Sequence, residues 1–254
     1  MSLVSEASLE RLAQIARAAG AAIMAHYGDT SVVAWKGDQG PLTRADKSAH
    51  ETILGQLNEW IPEVPVLSEE GEIPTPETRN PWKRFWLVDP LDGTKEFLKG
   101  NGEFTVNIAL IEGHDPVLGV VLAPAMDLLY VAGRGLGAWK RERQGERVRL
   151  VSTPVPRDHP RVIAESRSHP SPELEKYLAT IRVARRVQVG SSLKFCWVAE
   201  GKADLYPRFG PTMEWDTAAG DCVYRCSGSN GERRSPLRYN TPALRHDYFV
   251  IGEE

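Results

Sequence analysis

The chain is poor in cysteine, with three in 254 residues. Cys196, Cys222 and Cys226 form an odd set, and the last two fall one helical turn apart rather than in a C-x-x-C pair, which reads as reduced core thiols in a cytosolic protein. Surplus charge is also missing. With 31 Lys+Arg against 34 Asp+Glu the formal net charge is -3, so no global cationic field holds a nucleic acid polymer and any nucleotide partner is small and site-bound. Long apolar runs are absent too. The most apolar stretch, Leu118 to Ala132, is broken by Gly119, Pro124 and Asp127 and is too short to cross a bilayer of about 30 Å as a helix. Met1 to Glu6 place acid where a signal peptide needs Lys or Arg ahead of an apolar run, so secretion is not expected. What is present is a 41% apolar content, enough to fill the core of one large or two medium domains.

Leu9, Leu12, Ile15, Ala16, Ala19 and Ile23 recur at helical spacing, with Gly28 at a C-cap, and predict a helix from about Ser8 to Tyr27. Ala49, Ile53, Leu57 and Trp60 mark a second, from near Asp46 to before Pro62. Between them Val32 to Trp35 and Leu42-Thr43 read as a short ribbon around a turn that begins at Lys36. Phe85 to Val88, Phe104 to Ile111, Val117 to Leu122 and Leu128 to Val131 then read as strands of an antiparallel meander with unequal faces. Gly133 to Gly137 is glycine-rich, but no helix follows it, so it reads as a tight turn and not a dinucleotide loop; the mixed-sign run Lys140 to Arg143 reads as a solvated loop. After Pro160 strands and helices alternate. Val162 to Ala164 precedes a helix opened by Ser171-Pro172, Val187 to Val189 precedes one from about Ser192 to Gly201, Asp204 to Tyr206 is a strand, and Asp216 opens a helix ending near Gly228.

The most informative segment is Trp86-Leu87-Val88-Asp89-Pro90-Leu91-Asp92-Gly93-Thr94. An apolar strand ends here in two acids with a proline between them. Close carboxylates raise each other's pKa unless a cation neutralises them. Both offer hard oxygen and no His or Cys stands beside them, which favours Mg²⁺ over Zn²⁺. Pro90 restricts the backbone so that the Leu91 carbonyl can serve as a further ligand, and Gly93-Thr94 open a helix whose free N–H groups suit an anion. The same residues also fit an ordinary turn and N-cap. Further acids occur in kindred settings: Pro65 to Leu67 runs as an apolar strand into Glu69 and Glu70, and Met213-Glu214-Trp215-Asp216 sets Asp216 at a helix start. A solvated loop and an isolated N-cap are the plain alternatives for these.

With these segments the chain resembles the inositol monophosphatase superfamily of metal-dependent, lithium-sensitive phosphatases. Asp89 to Thr94 is similar to its D-P-x-D-G-T, Trp215 to Gly220 to its W-D-x-A-A-G, and Thr43-Arg44-Ala45-Asp46 to the T-x-x-D ahead of its second helix. More narrowly, Ser166 to His169, Gly190 to Cys196, Leu205 to Pro211 and the run Asp89 to Leu110 resemble the CysQ-type 3'(2'),5'-bisphosphate nucleotidases. Lys95-Glu96-Phe97 stands where inositol monophosphatases proper usually read T-N-F. The resemblance implies an α/β fold, a layered αβαβα sandwich of the sugar-phosphatase type. Within it an α+β part over 1-150 carries most metal ligands, and an α/β part over 151-254 carries the nucleotide contacts and the last ligand.

By the same resemblance Glu69, Asp89, the Leu91 carbonyl, Asp92 and Asp216 hold Mg²⁺, on the order of two or three ions around the scissile phosphate. Asp46 and Thr94 are the implied catalytic pair that orients and helps deprotonate an attacking water. Gly93 and Thr94 hold phosphate through their N–H groups, Lys36 steers it, and His169, Ser191, Lys194 and Arg208 contact the nucleotide beside Asp216. Taken singly, Lys36 also reads as a solvated turn lysine, Lys194 as an exposed helix lysine, Arg208 as a surface ion pair and His169 as a loop residue. The implied activity is hydrolysis of the 3'(2')-phosphate of adenosine 3'(2'),5'-bisphosphate to AMP and phosphate, in sulfur metabolism, with Li⁺ as inhibitor. The rivals are an inositol or sugar phosphatase on the same scaffold and a non-catalytic metal- or nucleotide-binding regulator. Asp46 and Thr94 argue against the regulator, because binding alone needs no water activator. The implied partner is a small bisphosphorylated nucleotide, and the implied compartment is the cytoplasm, free or peripheral to the inner face of the membrane.

Overall fold

Two amphipathic helices start the chain. In α1 (Glu6–Met24) the Ser5 hydroxyl caps the first turn by accepting the Ser8 N–H at 3.1 Å, and the spaced face of Leu9, Leu12, Ile15, Ala16, Ala19 and Ile23 is fully buried. The ribbon follows as antiparallel β1 (Val32–Trp35) and β2 (Pro41–Thr43), then α2 (Arg44–Trp60). The computed structural model describes residues 3–29, 31–35, 41–143, 145–156, 158–167, 171–229 and 231–253, so the ribbon's turn with Lys36 lies outside the described residues.

The first part continues through β3 (Val66–Ser68), α3 (Pro76–Arg79), β4 (Arg84–Asp92), α4 (Thr94–Lys99), β5 (Thr105–Glu112), β6 (Asp115–Ala123), β7 (Leu128–Gly133), β8 (Gly137–Glu142) and β9 (Val148–Leu150). β3 to β9 form one seven-stranded sheet in sequence order, an antiparallel meander except for β3, which runs parallel to β4. The faces of this sheet differ in chemistry as the alternation foretold, but both are covered: Thr105 and Asn107 are as buried as Val106 and Ile108. Antiparallel sheets more often leave one face in water.

The second part holds β10 (Arg161–Glu165), α5 (Pro172–Leu178), β11 (Val183–Gln188), α6 (Leu193–Ala199), β12 (Tyr206–Met213), α7 (Ala218–Arg225) and β13 (Arg245–Ile251). β10 and β11 pair in parallel, β12 and β13 antiparallel, and a bridge from Ile163 to Leu205 joins the two pairs. The layers run α1 and α2, the large sheet, α6 and α7, the small sheets, then α5. This is an αβαβα sandwich. The core around α6 and α7 joins Ala109 and Tyr130 of the large sheet to Tyr206 and Phe249 of the small ones through Phe195 and Cys222. Burial of such side chains contributes roughly 1.5–3 kcal/mol each and is the main adhesive between the layers.

Several expectations change. Lys140 to Glu142 is the end of strand β8 and no loop: the Lys140 ammonium is drawn onto the Glu200 carboxylate at 2.9 Å, so its charge is neutralised inside the sheet's margin. β9 and β13 carry no strong sequence pattern and form because a neighbouring strand offers an open edge. The helix expected to open at Asp216 begins instead as a 3₁₀ turn, Glu214–Asp216, ahead of α7. All three cysteines are free and buried, and no described helix is long and apolar enough to cross a membrane.

Candidate active site

The acids converge because strand ends converge. In β4 the pairing with β5 slips between Asp89 and Asp92, and such a bulge re-aims the side chains around it. The Asp89 carboxylate accepts the Leu91 N–H at 3.0 Å, which stiffens this turn. β3 pairs Ser68 with Val88, and the Glu69 N–H donates to the Val88 carbonyl at 3.1 Å, so Glu69 comes alongside Asp89. Asp216 arrives from the other part. Its Oδ2 accepts the Thr212 hydroxyl at 2.7 Å and the Met213 N–H at 3.0 Å. The turn that carries it is fastened by fully buried Glu214, which accepts the N–H groups of Asn240 at 2.7 Å and Thr241 at 2.9 Å.

Carboxylate oxygens of Glu69, Asp89 and Asp216 all lie within 4.8 Å of one another. Oxygens sharing one hard cation at about 2.0–2.6 Å stand about that far apart, so the spacing and the donor type both fit a divalent ion such as Mg²⁺. The electrostatics favour a positive charge among these carboxylates. Burial, then the charges of Glu69, Asp92 and Asp216, push the Asp89 carboxyl well above the usual range. Asp92 is lifted to about 7 by burial and by Asp216, against the pull of Lys194 and the Ser192 amide, which donates to it at 2.9 Å. Asp216 is lifted to about 6 by burial and then by Glu69.

Asp46 is 1% exposed and sits at the third position of α2. The T-x-x-D pattern is a capping box: Asp46 Oδ2 accepts the Thr43 N–H at 2.7 Å and the Thr43 hydroxyl at 2.5 Å. Its other oxygen faces Thr94, whose hydroxyl donates to it at 3.4 Å. Gly93 takes the left-handed conformation, φ 90°, at the head of α4, where a Cβ would stand 2.5 Å from the Ser191 hydroxyl.

Lys194 is 4% exposed, not a solvated helix lysine, and its Nζ donates to the carbonyls of Ser191 at 2.6 Å and Val189 at 3.4 Å. Arg208 is half-buried rather than ion-paired on the surface; it donates to the carbonyls of Gly210 at 3.2 Å and Pro211 at 2.8 Å. These acceptors are neutral, and both cations also act on the Asp92 carboxylate in the same cavity.

Glu69, Asp89, Leu91, Asp92, Gly93, Thr94, Ser191, Lys194, Arg208 and Asp216 line one cavity of about 460 Å³, and Asp46 stands directly behind Thr94. His169 lies outside the described residues. Glu70 is half-buried and does not line the cavity. Sequence reasoning missed Arg167, Thr212 and Arg245 in the wall. Thr212 has no spacing signal, Arg245 sits on the unforeseen β13, and Arg167 was seen only inside a longer motif.

A model described as the inositol monophosphatase family matches residues 6–232. The chain belongs to the inositol monophosphatase family. Its fold is that family's, and the family's enzymes depend on metal, in keeping with the acidic cluster. Among curated relatives, the 3'(2'),5'-bisphosphate nucleotidase CysQ of Escherichia coli K12 is 51% identical over 227 residues, covering 87% of this chain and 89% of the relative. The protein of that name from Haemophilus influenzae is 35% identical over 100% of this chain and 96% of its own. The crystal structure of CysQ from Bacteroides thetaiotaomicron superposes with a TM-score of 0.83 at 40% identity, covering 100% of both chains. An inositol monophosphatase of the same family, from Thermotoga maritima, gives 0.72 at 25% identity over 96% of this chain and 92% of that one.

Proposed function

We propose that this chain is a Mg²⁺-dependent phosphomonoesterase that hydrolyses the 3'(2')-phosphate of adenosine 3'(2'),5'-bisphosphate to AMP and phosphate. One observation carries the reading: a single cavity is lined both by a buried carboxylate cluster and by two cations, Lys194 and Arg208, whose hydrogen bonds go to neutral carbonyls. A monophosphate needs only the carboxylates and their metal. A bisphosphate also uses the cations, with Lys194 and Arg208 taking the phosphate that is not cleaved. The half-identical relatives named as bisphosphate nucleotidases support the same substrate.

Glu69, Asp89, the Leu91 carbonyl, Asp92 and Asp216 are the groups that would hold Mg²⁺, as two or three ions by the order of magnitude usual for such sites. Bound there, the metal supplies charge neutralisation on the phosphoryl oxygens and acidifies a water. Thr94 donates its proton to Asp46, so the Thr94 oxygen is left to accept a proton from the attacking water, with Asp46 as the base behind it. The free N–H groups where Gly93 and Thr94 open α4 hold phosphate oxygens in line. The water oxygen bonds to phosphorus while its proton passes through Thr94 to Asp46, the bond to the ribose oxygen breaks, and that oxygen takes up a proton from solvent water.

The test is phosphate release from adenosine 3',5'-bisphosphate and from inositol 1-phosphate, each with and without Mg²⁺. The bisphosphate should give the higher kcat/KM and should require the metal. A preference for inositol 1-phosphate would overturn the choice of substrate.

A further inference from the structure

Glu103 stands in none of the roles above, yet its side chain bridges the two parts of the chain. The loop that carries it is stiff: Gly100 and Gly102 take positive φ, and the Asn101 side chain accepts the Glu103 N–H at 2.9 Å. From the first part its carboxylate reaches three donors of the second. Arg167 binds both oxygens, Nε on Oε2 at 3.0 Å and Nη2 on Oε1 at 2.8 Å, and the Gly190 N–H donates to Oε2 at 2.9 Å. Arg167 Nη2 also donates to the Gln188 carbonyl at 3.1 Å, so the guanidinium ties the exit of β10 to the exit of β11. Bidentate carboxylate–guanidinium pairs fix orientation as well as distance.

The backbones meet as closely as the side chains. A Cβ on Gly190 would lie 2.4 Å from the Glu103 carbonyl oxygen. The next residue, Ser191, holds φ 54°, a left-handed conformation that costs a non-glycine residue of order 1–3 kcal/mol and persists only where the surroundings enforce it. Its hydroxyl lies 2.8 Å from the Asp92 carbonyl and 2.9 Å from that of Glu103. This enforced turn feeds both a cation and a carboxylate of the cavity. Its Ser191 carbonyl perches the Lys194 ammonium, and its Ser192 N–H caps Asp92.

We propose that Glu103 is a positioning residue for the uncleaved phosphate: clamped by Arg167, it fixes the turn at Gly190, Ser191 and Ser192 and so sets the place of the Lys194 ammonium. The proposal rests on the assignment of Lys194 to that phosphate. It also gives a physical role to the run Asn101-Gly102-Glu103-Phe104 and to Arg167, which the chemistry at the metal leaves unused.

The experiment compares the full chain with Glu103→Gln, Arg167→Gln and the double variant, in Mg²⁺, on adenosine 3',5'-bisphosphate and on 3'-AMP, which lacks the second phosphate. Each single variant should raise KM for the bisphosphate about tenfold with kcat within about threefold, and should lower the kcat/KM preference for bisphosphate over 3'-AMP about fivefold. The double variant should be no worse than the worse single, because the two side chains form one clamp. Hydrogen exchange of the amides at 189–193 should quicken in both variants. Arg167 is half-exposed, so its variant keeps the test alive if Glu103→Gln fails to fold. Equal losses on the two substrates, a bisphosphate KM within twofold of the parent, or unchanged exchange would each overturn the proposal. If the parent chain releases no phosphate from the bisphosphate, the functional reading fails and the phosphate assignment with it, whereas the exchange result still decides whether Glu103 holds the turn.

Discussion

The acidic wall of the cavity comes mostly from the ends of strands in a sheet buried on both faces, with Asp216 added from the 3₁₀ turn after β12, whereas the cationic wall comes from the short helix α6 and from β12 of a small sheet. Glu69 and Asp89 are set by ladder hydrogen bonds, so their spacing follows from register. Lys194 hangs on a carbonyl of the strained turn ahead of α6, and Arg208 on carbonyls further along its own strand. The difference suits the chemistry: in-line attack on phosphorus tolerates little displacement and is served by sheet register, while the charge for a second phosphate is placed by bonds local to its own segments.

Substitutions in the two walls should therefore fail differently. Asp89→Asn, in the rigid acidic wall, should lower kcat/KM about 10⁴-fold on every phosphate ester, read by phosphate release, because several kcal/mol of transition-state charge stabilisation depends on the metal it holds. Asp46→Asn should lower kcat about 10²–10³-fold while titration calorimetry shows Mg²⁺ binding intact, as the proposed base role requires of a carboxylate that faces Thr94. Unchanged turnover would remove Asp46 from the base role. Lys194→Met, in the cationic wall, should raise KM for the bisphosphate roughly 10- to 100-fold, the worth of one charge-assisted hydrogen bond, and should leave inositol 1-phosphate kinetics much less affected. Equal effects on both substrates would erase the distinction between the walls.

The smallest effect concerns the metal-free protein. Asp92 and Asp216 have folded pKa values near 7 and 6, above their ordinary 3.8, so between about pH 4 and 7 the folded state binds more protons than the unfolded one. Their contribution is then fully present below pH 4 and is lost as pH rises through 6 and 7. Melting in chelator should show Tm falling over that window by about 5 °C, and Mg²⁺ should flatten the slope by taking the place of the protons. A metal-free Tm that rises from pH 5 to 7.5 would contradict the crowding of these carboxylates.

The long helices and the meander were legible because each carries its own period: the apolar face of α1 and the alternation of β5 are written in single segments. Asp89, Asp92, Glu69 and Asp216 were legible as acids at the ends of apolar runs. Other features were not. Lys140 looks like a solvated charge until Glu200, sixty residues on, is brought to it. Arg245 lies on a strand with exposed, mixed composition that forms only because β12 presents an edge.

By itself the sequence determined which residues could do phosphoryl chemistry, since donor type, capping boxes and apolar strands are local properties that neighbours along the chain decide. Tertiary structure alone decided that carboxylate oxygens of Glu69, Asp89 and Asp216 come within 4.8 Å of one another, that Lys194 and Arg208 line the same cavity as these acids, and that Glu103 grips Arg167 across the seam. Those facts are distances between segments far apart in the chain, and they follow from how the layers pack rather than from any pattern within one of them.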